Sequence, residues 1–161
     1  MAPIRHPHSD HMPAGQIQYQ TLDQLSFDMA ETHILTIARL FFVSFHHPKS
    51  QAWMSAIFTS EDLFGEAQGA KIAAQILQTV NSVRHVRRSG FSYCDPNCED
   101  CAQFVTKEER YLVLALHCLR RGKLSDARTQ AMLLCQGGDY TQFMGMLGLL
   151  VKSFEEEEAS E

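Results

Sequence analysis

No apolar run in this chain is long enough to cross a bilayer. The longest, Ile34 to Phe45, is broken by Thr36, Arg39 and Ser44, whereas a spanning helix needs about 20 mostly apolar residues. The N-terminus lacks the basic, apolar and small-residue order of an export signal, so the expected location is cytoplasmic. Sustained period-two alternation of β-branched residues is missing, which argues against a sheet-based fold. There is no repeat at a fixed period, which argues against a helical-repeat array. A Gly-rich phosphate loop, a nucleophile elbow and an H-E-x-x-H pair are also missing, and with them the usual signatures of nucleotide, acyl-transfer and metalloprotease chemistry. A di-iron bundle would need Glu-x-x-His on two helices. Asp28, Glu31 and His33 are instead read as a polar helix face.

What remains is a chain of 161 residues, 45% hydrophobic and with a net charge of −5, long enough for one domain with its own core. Three- to four-residue spacing of apolar positions predicts an all-α fold, a single compact bundle of five or six helices. Residues 1–20 are expected to be a flexible arm, and its His6, His8 and His11 a solvated tail. The helical domain covers 21–154, with a cysteine loop at 90–105. Leu22, Leu25 and Met29 open the helical pattern. The stretch from Ile34 to Phe45 is apolar nearly all round, so this helix should be central, and Pro48 stops it after His46 and His47. A shorter helix is expected over Gln51 to Thr59, with Ser60, Glu61 and Asp62 as a turn or a capped start. A long helix follows from about Glu66 to Arg88. Thr106-Lys-Glu-Glu109 is a capping box that starts another helix. Arg120, Arg121 and Gly122 close that helix. A further helix runs from about Ser125 to Gln136, and Asp139 caps the last, which ends near Phe154. Residues 155–161 are expected to be a solvated acidic tail.

Five cysteines, an odd number without an export signal, point to thiols or metal ligands rather than a disulfide framework. Three of them form C-x3-C-x2-C at Cys94, Cys98 and Cys101. A turn can bring such sulfurs to about 3.5–4 Å of one another, around one ion. The same spacing holds the cluster in radical S-adenosylmethionine enzymes. The likeness is confined to these residues, because that family is built on a large α/β barrel and this chain has neither the length nor the strands. An antiparallel hairpin of the two helices after the loop would set Cys135 level with about residue 109, beside Cys101. Cys118 and His117 would lie near the turn, roughly 15 Å away at about 1.5 Å per residue. The predicted metal ligands are therefore Cys94, Cys98, Cys101 and Cys135, with His85, His117 and Cys118 as lesser candidates for the fourth. Carboxylates at Asp95, Glu99 and Asp100 favour a dication, so zinc is the expected cofactor and an iron–sulfur cluster the alternative.

Charge is segregated. Residues 81–123 hold eight Lys and Arg against five carboxylates, and the remainder holds six against fourteen. Arg84, Arg87 and Arg88 form one basic cluster, and Arg120, Arg121 and Lys123 another. Both fall at helix ends, where cations offset the dipole; an anion-binding face is the alternative. A helix-turn-helix over 106–136 would offer only Arg128 and Gln130 as base readers, so nucleic acid is a weak expectation. Gly145 and Gly148 sit in an apolar last helix that faces a core or a partner. The expected function is a non-catalytic metal-binding regulator acting on a protein partner or on a second copy of itself. A redox or metal-responsive regulator and a small metalloenzyme with His85, Glu99 or Asp100 as base are the alternatives.

Overall fold

The computed structural model describes residues 19–158. Among them are seven α-helices and one two-residue strand pair: β1 (Gln20–Thr21), α1 (Met29–His46), α2 (Ala52–Phe64), α3 (Glu66–Val86), α4 (Glu99–Ala102), β2 (Phe104–Val105), α5 (Lys107–Arg120), α6 (Leu124–Leu134) and α7 (Thr141–Glu158). The mostly helical architecture agrees with the periodicity. The count exceeds the expected five or six because α4 is a single turn inside the cysteine loop. None of the helices described is long and apolar enough to cross a membrane.

α1 is the central element. Ile34, Leu35, Ile37, Ala38, Leu40, Phe41 and Phe42 are all buried, and the helix packs on α2, α3 and α5. α5 pairs with α6, and α3 pairs with α7. On α7 it is Phe143, Leu147, Leu150, Val151 and Phe154 that are buried. The apolar stripe of the last helix therefore serves the chain's own core. Exposed apolar side chains include Trp53, Met54 and Phe58 on α2, Met132 and Leu133 on α6, and Leu149 on the outer side of α7.

Four boundaries differ from the sequence expectation. The first helix starts at Met29 rather than Thr21. Gln20 and Thr21 pair antiparallel with Val105 and Phe104, and Leu22, Leu25 and Phe27 pack on a small second core of Leu35, Val105 and Val113. Asp28 then caps α1 in a box with Glu31. Tyr19 and Gln20 of the predicted arm thus belong to the folded part, and the rest of it, with His6, His8 and His11, lies outside the described residues. Ser60, Glu61 and Asp62 lie inside α2. Ser60 is buried and donates its hydroxyl to the carbonyl of Gly69 at 2.7 Å. The break comes at Gly65, whose φ of 81° only glycine adopts without strain. Gly69 lets α3 approach α2 so closely that a Cβ there would collide with the backbone of Glu61. At the far end, α7 runs through Glu158 instead of fraying after Phe154, and Lys71 pairs with Glu156 at 3.6 Å.

Two polar clusters tie α5 to α1. At the N-terminal end of α5, Arg39 meets Glu109 through two bonds, Nε to Oε1 at 2.7 Å and an Nη to Oε2 at 3.0 Å. Both side chains are essentially inaccessible. Arg39 also donates to the carbonyls of Ala102 (2.7 Å) and Phe104 (2.5 Å). Glu109 accepts further bonds from the backbone N–H of Cys94 and of Thr106. At the other end, buried Glu31 accepts from His117, Arg120 and Arg121, and Arg120 also reaches Asp28 at 2.6 Å. Burial by itself raises the pKa of Glu31. The bonds from His117, the Asp28 N–H and Arg121 outweigh it, so the carboxyl sits below its ordinary value of 4.5.

Two outcomes follow from these clusters. Removing one partner of a buried pair leaves an uncompensated charge, so Arg39→Met and Glu109→Gln should each cost about 3–5 kcal/mol in urea unfolding. Glu31, with its folded pKa depressed, adds stability that is fully present above pH 4.5 and is lost as pH falls through the lowered folded value. The stability gap between wild type and Glu31→Gln should therefore be widest near neutrality and shrink in denaturant titrations below pH 4.5.

Candidate functional site

The cysteine loop is held by packing and hydrogen bonds along its length. Phe91 stacks on Phe42 at 4.2 Å between ring centres, and Tyr93 stacks on the same ring at 5.5 Å. The hydroxyl of Thr106 donates to the carbonyl of Ser92 at 2.7 Å. These contacts deliver the Cys94 N–H to Glu109 Oε1 at 3.0 Å. Asp95 then folds the chain back. Its carboxylate accepts from the backbone and side-chain amides of Asn97, and its carbonyl accepts from the Cys98 N–H at 3.2 Å. Cys98 is the N-cap of α4, and Cys101 lies within that single turn. One helical turn places residues i and i+3 on the same side.

The result is a sulfur pair. Cys98 Sγ and Cys101 Sγ are 2.8 Å apart, closer than the roughly 3.7 Å of two thiolates that share a tetrahedral zinc at about 2.3 Å each. Cys98 is half-buried and Cys101 buried. Burial, reinforced by Cys98 and by the carboxylates of Asp95 and Asp100, pushes the Cys101 thiol up to about 11. Cys94 is close enough to Cys101 to feel its charge, yet its thiol lies beside Glu109. Burial first, then that carboxylate, push it up to about 12. Tyr93, also raised by burial to about 12, completes a wall that disfavours anions.

Cys135 stands apart from the triplet. Arg87 donates to the carbonyl of Leu134 and pairs with Glu108 at 3.4 Å, so the end of α6 is level with the start of α5, as the hairpin reasoning expects. Glu108 and Glu109 point to different sides of α5, however. The triplet gathers on the Glu109 side, whereas Cys135 is buried in the main core with Arg87 and Asp139 as its charged neighbours. Among the described residues, no group of three or more His, Cys, Asp and Glu is arranged to hold one metal ion. The lesser candidates are elsewhere. His85 Nδ1 bonds the carbonyl of Asn81, His117 belongs to the Glu31 cluster, and Cys118 is half-buried with Asp126 nearby, its thiol raised chiefly by burial. Glu99 and Asp100 are exposed at the start of α4.

Arg39 and Glu109 are the positioning residues that sequence reasoning missed. The signal was present: a lone arginine in the most apolar helix of the chain needs a buried partner. Accessibility and pKa together predict an order of thiol reactivity. With iodoacetamide at pH 8, Cys98 should be alkylated first, and Cys94, Cys101 and Cys135 only as the protein opens, as peptide mass mapping over time would show.

Compared with known proteins, the chain matches no family model, no curated protein and no solved structure, so the function rests on the geometry of this site.

Proposed function

We propose that the protein is a thiol-responsive helical regulator without catalysis of its own, and that Cys98 and Cys101 are its responsive element. The contact between their sulfurs carries this reading. The chemistry is thiol–disulfide exchange with a small disulfide. The Cys98 thiolate attacks one sulfur of the oxidant, forms a mixed disulfide and releases one thiol. Cys101 then attacks Cys98 Sγ and releases the second thiol, leaving an intramolecular disulfide. The protein is oxidised by two electrons and the external disulfide is reduced to two thiols. Half-buried Cys98 is the entry point and buried Cys101 the resolving thiol. Burial, Cys98 and the carboxylates of Asp95 and Asp100 disfavour the Cys101 thiolate, which suits a slow resolving step more than a turnover enzyme. A protein partner or a second copy of the chain would receive the signal, through a change in the loop that Glu109 and Arg39 anchor.

A second reading, zinc bound with Cys94 as third ligand, is favoured by one observation. Cys94 lies close enough to Cys101 for the charge of Cys101 to raise its thiol further, inside an acidic loop, and a dication would relieve that field. Cys135 would become a fourth ligand only if Arg87 moved from between α3, α5 and α6.

Treatment of the reduced protein with oxidised glutathione should consume two of its five thiols and place a disulfide at 98–101 in peptide maps. Cys98→Ser and Cys101→Ser should each abolish it, and Cys135→Ser should leave it. A protein that forms only mixed disulfides would overturn the proposal. Zinc retained near one equivalent after dialysis, and lost in Cys94→Ser, would favour the second reading.

A further inference from the structure

The C-terminal ends of α1 and α3 and the segment that leaves α3 enclose a cavity of about 300 Å³. Its floor is aromatic, made by Phe42, Phe45 and Phe91, and its walls carry His46, His85, Arg84, Arg87 and Arg88. Among the described residues that line it there is no carboxylate. This is unexpected in a chain with a net charge of −5.

Helix-end capping accounts for His85, which bonds the carbonyl of Asn81, but not for Arg84 or Arg88. Arg84 bonds no helix carbonyl. Its guanidinium lies flat on the Phe45 ring, 3.8 Å from the centroid, with a single bond to the Asn81 side chain at 3.2 Å. Stacking of this kind fixes the guanidinium plane and leaves its N–H edge to meet an acceptor. The Arg88 guanidinium has no partner among the described residues, and His46 has a ring contact with Tyr93 but no hydrogen bond at either nitrogen. Arg87, by contrast, is spent on Leu134, Gly90, Ser89 and Glu108, and so shapes the wall. That wall is braced. The N–H groups of Arg88 and Ser89 both donate to Gln136 Oε1, at 2.9 and 3.2 Å, and the Phe91–Phe42 stack holds the other end. A cavity whose walls are fixed before the ligand arrives loses little in ordering on binding.

We infer that this cavity is a binding site for a small phosphate monoester, with Arg84 and Arg88 holding the phosphate and the aromatic floor taking an apolar or ring portion. Two guanidinium forks match a dianion better than a singly charged carboxylate, and His46, whose pKa is lowered chiefly by burial, adds a neutral imidazole rather than a charge. A half-open cleft of about 300 Å³ has room for a small molecule, and the acidic remainder of the protein opposes nucleic acid.

The test uses phenyl phosphate as probe, titrated into the reduced full-length protein by calorimetry and by amide NMR. Saturable binding with Kd below about 1 mM is expected, with shifts centred on residues 84–91. Phenol should not bind, and inorganic phosphate should compete more weakly than the ester. Arg84→Gln and Arg88→Gln, both at exposed positions, should each weaken binding at least about tenfold while leaving the circular dichroism spectrum unchanged. NMR mapping on the wild type keeps the assignment testable should either variant fold poorly. No saturation at 10 mM, about ten times that limit, would overturn the inference. So would shifts elsewhere, unchanged affinity in both arginine variants, or an oligonucleotide that binds and is not displaced by phenyl phosphate.

Discussion

The Arg39–Glu109 pair is the contact on which the rest of the molecule is assembled. An arginine in the middle of α1 has no access to water, so its charge must be met inside the protein. Glu109 meets it, and with its remaining lone pairs it also holds the start of α5 and the backbone of Cys94. Arg39 in turn holds the carbonyls that follow α4. One ion pair therefore links the central helix, the cysteine loop, the small strand pair and the α5–α6 hairpin. Hydrophobic packing would permit several placements of the loop. A buried, fully bonded charge pair permits few, because each bond lost leaves a costly unsatisfied group.

The Glu31 cluster repeats the device at the opposite end of the α1–α5 interface, but with a different balance. Three cationic or ionisable groups, His117, Arg120 and Arg121, share two carboxylates, and all three reach solvent. This end tolerates loss of a partner better than the dry end does, since water can take over part of the charge. The functional candidates follow the same gradient. The sulfur pair and the basic cavity both lie on elements anchored from the dry end, where geometry is most strongly determined.

Much of the fold was legible because the signals were local. The Thr106–Glu109 box and the apolar surround of α1 each depend on neighbours within a few residues. Contacts between distant segments were harder to read. Leu22 and Leu25 carried a helix-like spacing but serve a second core with Val105 and Val113, which no local pattern reveals. The Gly65 break was passed over for Ser60, a plausible cap that is instead a buried bridge to Gly69. For the site, spacing along the chain drew attention to Cys98 and Cys101 as metal ligands with Cys94 and Cys135, and one helical turn brings the first two into sulfur contact. It also set Cys135 at the correct height in the hairpin. Height along a helix does not fix azimuth, though, and Glu108 and Glu109 show how one residue's step turns a side chain from the Cys135 side to the triplet side. The basic cavity was visible only as a charge cluster, since Phe42 and Phe45 of its aromatic floor come from α1, some forty residues earlier in the chain.

The placement of Trp53, the chain's single tryptophan, has a practical consequence for anyone who studies this molecule in solution. Trp53 is 46% exposed on α2 and takes no part in the ring stack of Phe42, Phe91 and Tyr93. Its emission in the native state already reports a largely aqueous setting. Denaturation will shift that emission little even as the core opens, so fluorescence would understate a transition that backbone or tyrosine signals register in full.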